Sequence, residues 1–181
     1  MSRFHIIEED KATEEVKDIY KTIRRELGFS FVPNLFKSMA ASPAVLRGNW
    51  ENVRFTFLSG TVPRTIKEMI CVAVSAANQN NYCLKMHLHG LSILGVDKKI
   101  LQGLQGKLDE LPLPERTKVI IKFALKIALE PTSVTHKDFS ELKDEGLTEE
   151  EILEIVSTAN LINLLNVYVE LAGVDLDECY V

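Results

Sequence analysis

Apolar residues recur along this chain three and four positions apart, which is the spacing of one face of an α-helix. The first clear case lies within residues 10–27 and comprises Val16, Ile19, Tyr20, Ile23 and Leu27. Gly28 follows at the position of a helix C-cap. Strict alternation of apolar and polar residues, which would predict strands, is rare. The pattern therefore predicts an all-α fold.

Glycine, proline and capping residues divide the rest of the chain into further helices. Ser42 stands at an N-cap position, and Thr148 with Glu151 has the spacing of a capping box. The last helix either continues to Leu171 or breaks near residues 160–163. The predicted spans are 34–41, 44–58, 63–78, 82–94, 98–102, 115–129, 136–145 and a final helix from 148.

The stretch from Glu68 to His87 reads EMICVAVSAANQNNYCLKMH and holds the candidate chemistry. Cys83 and His87 are four residues apart and therefore share one face of a helix. Glu68 would be about 22 Å from Cys83 along one straight helix, which is too far for contact. A reversal at residues 79–81 would make two antiparallel helices. It would place the thiol, the imidazole and the carboxylate in descending order, with long side chains or a water closing the gaps.

A short internal similarity supports a functional interpretation of this stretch. The tetrapeptide SAAN that starts at Ser75 recurs as STAN 82 residues later, which predicts an internal helical repeat. The second copy carries Leu165 and Val169 where the first carries Cys83 and His87. The helices themselves therefore do not require a thiol or an imidazole at these positions.

Length, charge and cysteine content narrow the class of protein. With 181 residues, of which 46% are hydrophobic, the chain can build one globular core. The net charge of −5 and the pI near 5.5 argue against nucleic acid as the main partner. We expect a cytoplasmic protein, since neither a signal-peptide pattern nor a run of 18 apolar residues is found. Three widely spaced cysteines argue against a disulfide framework, and no cofactor motif is evident.

With these residues in view, the chain resembles the carboxymuconolactone decarboxylase and AhpD-like alkylhydroperoxidase superfamily, and within it the peroxidase-related branch. The segments that carry the resemblance are VPNLFKSMAASP, PRTIKEMICVAVSAANQNNYCLKMH and LSILGVD. The resemblance implies one AhpD-like all-helical domain over residues 1–181, with N-terminal helices in 1–60, the core motif in 61–97 and a second helical repeat in 98–181. It also implies a homo-oligomer, either a trimer or a hexamer.

The resemblance further implies a role for each residue of the central stretch. It places a relay carboxylate at Glu68, a peroxidatic thiol at Cys83 and a relay imidazole at His87. One position departs from the family pattern, because Asn80 stands where two-cysteine members carry the resolving thiol of CxxC. Tyr82 either forms a hydrogen bond at the site or packs in the core.

Each candidate also has a simpler explanation. Cys83 could be a small buried apolar residue and His87 a packed histidine. Glu68 could form a capping box with Thr65 and pair with Arg64 at i+4. The same carboxylate, thiol and imidazole could instead bind zinc, although no fourth ligand is evident.

The remaining cysteines and the aromatic residues complete the candidates. Cys71 is assigned to the core, whereas Cys179, near the C-terminus, is a candidate partner for an oxidised Cys83. Three aromatic residues are expected to pack rather than to bind a cofactor, namely Trp50, Phe55 and Phe57.

Three functions are consistent with the sequence. A thiol peroxidase would use Cys83 to reduce a small-molecule hydroperoxide through a sulfenic acid, with His87 and Glu68 moving the proton and an external thiol as reductant. A lyase acting on a small carboxylated lactone would use His87 and a cationic side chain facing the pocket. The candidates for that cation are Arg54, Arg64 and Lys85. A catalytically silent helical oligomer would bury Cys83 in a dry, closed site with an unshifted or raised pKa.

Overall fold

The computed structural model describes residues 2–178, which form nine α-helices and two single 3-10 turns. No strand occurs in this part of the chain, so the prediction of an all-α fold is confirmed. The helices are α1 (Glu14–Leu27), α2 (Asn34–Lys37), α3 (Pro43–Phe57), α4 (Arg64–Ala77), α5 (Asn81–Ile93), α6 (Lys98–Gly103), α7 (Glu115–Leu129), α8 (His136–Asp144) and α9 (Glu149–Ala172).

Most helix ends follow from local chemistry that the sequence already displays. Gly28 adopts a left-handed conformation with φ of 73° and ends α1, as predicted. The Ser42 side chain accepts a hydrogen bond from the Val45 N–H at the start of α3. Both hydrogen bonds of the capping box between Thr148 and Glu151 are formed at the start of α9.

One predicted helix end is wrong by four residues, and one capping box that the sequence allowed is not formed. The helix predicted over 34–41 ends at Lys37, because the Ser38 hydroxyl turns back to the Leu35 carbonyl and the chain then bends toward Ser42. Thr65 does not cap α4, since Pro63 occupies the N-cap position and no side chain caps that end. The carboxylate that Thr65 was expected to engage points elsewhere.

The core surrounds α4, which is buried on nearly all sides from Lys67 to Ser75. This helix packs against α5, α7 and α9, and α9 also contacts α3. A helix that is apolar around its whole circumference must be enclosed by other helices. Helix α4 is therefore held in the interior, whereas α5 buries only Tyr82, Cys83 and Leu91.

The longest helix, α9, is continuous through residues 160–163. The chain reverses after α4, whereas the similar stretch in the second half of the chain stays helical. The segments that contain SAAN and STAN are thus similar in sequence, but the chain turns after the first and remains helical after the second.

Among the described residues, α9 is also the one helix long and apolar enough to cross a membrane on those two criteria. Half of its most apolar window is buried inside the protein. Core packing against α3, α4, α5 and α7 accounts for the buried half of its apolar residues. The exposed side of the helix carries Leu153, Leu164, Val167 and Leu171.

An ion pair buried between α4 and α9 fixes their relative position. The Lys67 ammonium is 2.8 Å from the Glu154 carboxylate and also donates to the carbonyls of Thr56 and Ser59. Glu154 in turn accepts hydrogen bonds from the backbone N–H groups of Thr61 and Val62. These contacts bind the loop between α3 and α4 to α9, and so set the start of α4.

Candidate functional site

The site is built on the reversal between α4 and α5. Gln79 adopts a positive φ of 56°, and Asn80 then caps α5 by accepting a hydrogen bond from the Cys83 N–H at 3.0 Å. The Asn80 amide also donates to the Asn166 carbonyl of α9 at 3.1 Å. Asn80, predicted as a supporting residue, therefore positions the first turn of α5 and the thiol that follows.

The reversal brings two of the predicted residues into direct contact. Nδ1 of His87 lies 2.6 Å from Oε2 of Glu68, where the sequence analysis expected a gap. Both side chains are largely buried, with exposed fractions of 14% for His87 and 4% for Glu68. No bridging water is needed, because antiparallel packing places the two residues in one layer of the helix pair.

The charge of Glu68 is maintained by its neighbours. Burial, the largest single influence, would raise the pKa of this carboxyl group, but the charges and hydrogen bonds of His87 and Arg64 together lower it. Arg64 is 2.9 Å from Oε1 of Glu68, as the i+4 spacing predicted. The guanidinium lies over the ring of Phe57 at 3.8 Å from its centroid, and the same ring meets His87 edge-on.

Gly90 makes room for this carboxylate and was not identified from the sequence. A Cβ atom built on Gly90 would stand 2.8 Å from Oε1 of Glu68. Gly90 lies three residues after His87 on α5, so the absence of its side chain lets Glu68 approach the helix. A glycine inside a predicted helix was the available signal, since such a glycine often marks close packing.

Cys83 is almost fully enclosed. It is 3% exposed, and burial raises the pKa of its thiol to about 12, although a hydrogen bond with the Asn166 side chain opposes the shift. The resting cysteine is therefore a neutral thiol at physiological pH. Any chemistry at this sulfur requires a base that can remove the proton.

A network of side-chain amides joins the end of α4 to α9 beside the thiol, and Asn166 at its centre is buried. The Asn166 side chain donates to the Ser75 hydroxyl at 3.0 Å and accepts from the Asn78 amide at 3.0 Å. The Asn78 amide also donates to Asn163 at 2.9 Å. Sequence reasoning missed Asn166, because its contact with Cys83 joins residues far apart in the chain. An asparagine in the apolar stretch of a core helix was the signal.

The thiol and the Glu68–His87 pair border one cavity of about 300 Å³. Apolar side chains form most of its wall, and Arg64, Cys71 and His89 complete the polar part. The apolar residues on the wall include Phe29, Phe57, Met86, Ile93, Leu161 and Leu165. A pocket of this size and character suits a small, mainly apolar organic molecule.

Tyr82 does not border the cavity. Its hydroxyl donates to the Asp177 carboxylate at 2.7 Å and accepts from the Leu35 N–H at 3.1 Å. Asp177 also accepts from the Asn34 N–H at 2.7 Å. Tyr82 therefore connects α5 with the start of α2 and with residues after α9, rather than bordering the cavity.

The remaining candidate residues differ in whether they border the cavity or lie in the core. Arg54 binds Glu26 and Glu51 and does not border the cavity, nor does Lys85, so Arg64 is the one predicted cation that does. The expectation that Phe55 packs is wrong, because its side chain is 66% exposed. Trp50 is buried in the core as expected. Cys179, the candidate partner of an oxidised Cys83, lies outside the described residues.

A metal centre is not formed by the described part of the chain. Within residues 2–178, no group of three or more histidine, cysteine, aspartate or glutamate side chains is arranged to hold a metal ion. The two carboxylate oxygens of Glu68 instead contact His87 and Arg64.

The fold and the site together define a class, that of all-helical proteins with a cysteine, a histidine and a glutamate around an α4–α5 hairpin. The sequence pattern of the carboxymuconolactone decarboxylase family matches residues 43–105, from α3 to just beyond α6. A peroxidase-related protein from Ralstonia eutropha with an alkylhydroperoxidase AhpD core superposes with a TM-score of 0.88 at 26% identity, over 99% of this chain and 94% of that one. The fold is AhpD-like, and the segment 43–105 resembles the carboxymuconolactone decarboxylase family.

Two further proteins resemble this chain, one in sequence and one in fold. An alkyl hydroperoxide reductase of Mycobacterium tuberculosis is 32% identical over 72 residues, which are 40% of this chain and only 20% of that protein. The debrominase Bmp8, in complex with 2,3,4-tribromopyrrole, superposes with a TM-score of 0.80 at 17% identity, over 98% of this chain and 95% of that one. The latter likeness is one of fold alone.

Proposed function

We propose that this protein is a thiol-dependent peroxidase that reduces small organic hydroperoxides, with Cys83 as the attacking group and His87 and Glu68 as its proton relay. The observation that carries the proposal is the 2.6 Å contact between His87 and Glu68, on the wall of the cavity that Cys83 also borders. The AhpD-like fold and the alkyl hydroperoxide reductase relative support the same class of substrate and an external thiol reductant.

The hydrogen bond to Glu68 decides which nitrogen of His87 can act as a base. An ionised carboxylate only accepts hydrogen bonds, so the Nδ1 that contacts it carries the hydrogen. Nε2 is then the nitrogen with a free lone pair and can accept a proton. Glu68 stabilises the imidazolium that results, which is how a carboxylate assists a histidine base.

The reaction follows from these roles. His87 takes the proton of the Cys83 thiol when a hydroperoxide occupies the cavity, and the thiolate attacks the outer peroxide oxygen. The O–O bond breaks, Cys83 becomes a sulfenic acid, and the departing alkoxide takes the proton from His87 to leave as an alcohol. One external thiol then forms a mixed disulfide and releases water, and a second restores the Cys83 thiol as an external disulfide leaves.

The buried thiol agrees in part with a catalytically silent protein, since its pKa is raised rather than lowered. The cavity argues for chemistry, because it gives a small molecule room beside Cys83 and His87. A base that acts only when substrate is bound reconciles the two observations. The proposed enzyme therefore generates its thiolate during the reaction and does not store one.

Sulfenic-acid trapping tests the proposal. The reduced protein is treated with cumene hydroperoxide and dimedone, and the adduct is located by mass spectrometry. We expect an adduct on Cys83 that forms at least tenfold more slowly in the His87→Ala variant. His136→Ala removes an exposed histidine of α8 and should leave the rate unchanged. Equal labelling of Cys71, Cys83 and Cys179, or no adduct, would refute the proposal.

The second candidate is a lyase acting on a small carboxylated lactone, and Arg64 is the observation that favours it. Arg64 borders the cavity beside His87, and only part of its five-donor guanidinium is used by Glu68. Carbon dioxide release from carboxymuconolactone distinguishes the two functions. A lyase would retain turnover in Cys83→Ser and lose it in Arg64→Gln, whereas the proposed peroxidase releases no carbon dioxide.

A further inference from the structure

The packing of α4 against α5 places a second cysteine beside the first. Suppose that two residues touch across a pair of antiparallel helices. The residue one turn later on one helix then lies beside the residue one turn earlier on the other. Glu68 contacts His87. One turn nearer the reversal, α4 presents Cys71 and α5 presents Cys83.

Three further observations place these two cysteines in the same region of the protein. Both border the cavity that holds the Glu68–His87 pair. Both are buried and free, with exposed fractions of 2% for Cys71 and 3% for Cys83. After burial, the charge of Glu68 and that of Cys83 when it is ionised also raise the pKa of Cys71, as expected for groups that share one poorly solvated region.

The position of the usual resolving thiol is occupied by a structural residue. Asn80 caps α5 and binds α9, so it contributes no sulfur to a disulfide. A disulfide needs Cα atoms about 4.4–6.8 Å apart, a separation that neighbouring helices reach only within one layer of their interface. Cys71 and Cys83 lie in the same layer of the α4–α5 interface and therefore meet this requirement.

We infer that Cys71 is the resolving cysteine of Cys83, so that oxidation by an organic hydroperoxide ends in a disulfide between α4 and α5. The inference rests on the proposed peroxidase function, because it needs the sulfenic acid that this function forms. It changes the reductant class, since an internal disulfide is restored by a dithiol through exchange.

The second half of the cycle forms the disulfide and then reduces it. The sulfur of Cys71 attacks the sulfur of the Cys83 sulfenic acid, and the S–O bond breaks. The hydroxide that leaves combines with the proton of the Cys71 thiol to give water, and His87 in the same cavity can carry that proton. An external dithiol then reduces the disulfide, becomes a disulfide itself and returns both cysteines to thiols.

The test is a map of the oxidised cysteines in the full chain. Reduced protein receives one equivalent of cumene hydroperoxide, free thiols are blocked with N-ethylmaleimide in denaturant, and a non-reducing digest is analysed by mass spectrometry. We expect the Cys71 and Cys83 peptides to be linked in most molecules, with two thiols lost per hydroperoxide. Cys71→Ser should stop at the sulfenic acid and increase the final dimedone adduct on Cys83 about tenfold.

The controls separate failure of this inference from failure of the proposed function. Cys179→Ser should keep the link between Cys71 and Cys83, and a link from Cys83 to Cys179 instead would overturn the inference. Oxidised Cys83 with no linked peptide, and equal dimedone labelling in wild type and Cys71→Ser, would also overturn it while leaving the peroxidase intact. Unoxidised Cys83 would reject both. Cys71→Ala, with its melting temperature measured, guards against an unfolded serine variant.

Discussion

Glu68 is an ionised carboxylate inside the protein because three neighbours accommodate it. His87 and Arg64 supply the charge that outweighs the effect of burial, and Gly90 leaves the space. The sequence indicated the residue types and the i+4 pairing with Arg64, since both depend on one helix. It did not indicate the role of Gly90, which depends on how closely two helices approach.

Gly90→Ala should displace the Glu68 carboxylate from His87. The added Cβ would stand 2.8 Å from Oε1, and the carboxylate is already fixed by two partners. We expect hydroperoxide turnover to fall about 100-fold, since a displacement near 1 Å in a catalytic group costs roughly that much. Turnover with cumene hydroperoxide measures the effect.

Gly48→Ala is the matched control, because Gly48 also lies in a helix and a Cβ there meets nothing within 4 Å. It should leave turnover unchanged and stabilise α3 by about 1 kcal/mol through helix propensity. If Gly90→Ala retained full activity with the fold intact, the carboxylate would not be needed where the structure places it.

Cys83 should alkylate slowly at neutral pH, and faster by about tenfold for each pH unit up to pH 10. Only the thiolate reacts, and its fraction rises tenfold per unit below the pKa, which burial raises to about 12. Site-resolved rates with iodoacetamide, read by mass spectrometry, give the profile for each cysteine. Circular dichroism at each pH verifies that the fold is retained.

A plateau below pH 9 would contradict this expectation. An ordinary exposed cysteine has a pKa near 8.5 and would reach its plateau only at about pH 9.5, so a plateau below pH 9 requires a thiol pKa lower than that. Such a result would mean that the resting protein already stabilises the thiolate, and that His87 is not required to generate it.

At the scale of elements, the α4–α5 hairpin depends on α9. Asn166 of α9 contacts both the cap residue Asn80 and Cys83, and Glu154 of the same helix binds Lys67 of α4. The sequence predicted α9 and its capping box, because both follow from nearby residues. It did not predict these contacts, because each depends on the side of α9 that faces α4.

Glu154→Gln should lower the free energy of unfolding by about 3 kcal/mol, since removing one partner of a buried ion pair leaves the other without compensation. Lys67 is 1% exposed and would keep only its two carbonyl partners. Urea denaturation measures the change. Glu150→Gln, at an exposed position of the same helix, should change the stability by less than about 0.5 kcal/mol.

The loss of stability caused by Glu154→Gln should become smaller as the pH falls. Burial alone would raise the pKa of Glu154, but hydrogen bonds from Lys67, Thr61 and Val62 lower it from 4.5 to about 2. A lowered carboxylate pKa contributes stability that is fully present above pH 4.5 and is lost as the pH falls toward 2. The difference between wild type and Glu154→Gln should therefore shrink across this range, and a constant difference would contradict the ion-pair account.

At the scale of the whole molecule, the cavity is the product of several helices. Its wall takes residues from α1, α2, α3, α4, α5 and α9, so no single element defines it. The polar groups are confined to the α4–α5 side, whereas α9 contributes only apolar side chains. This division favours a ligand with an apolar body and one reactive polar end.

An inert product analogue should bind in this cavity and stabilise the protein. At ten times its dissociation constant, cumyl alcohol would add about 1.4 kcal/mol, or roughly 4 °C in melting temperature for a chain of this length. Ile162→Phe places an additional ring in the cavity and should abolish the shift. Differential scanning calorimetry measures both proteins.

Leu164→Phe is the control, since Leu164 is 47% exposed on the same helix and does not border the cavity. It should retain the full shift. An equal shift in Ile162→Phe would place the ligand elsewhere on the protein and weaken the case for the cavity as the substrate site.

The sequence by itself determined the helices, the reversal between α4 and α5, and the spacing that puts Cys83 and His87 on one face. These features depend on residues within a few turns of one another, where periodicity, caps and glycine act directly. Only the tertiary structure decided the direct contact of His87 with Glu68 and the burial that keeps Cys83 a neutral thiol. Those properties depend on which helix faces enclose the site, and the packing of the whole chain sets that.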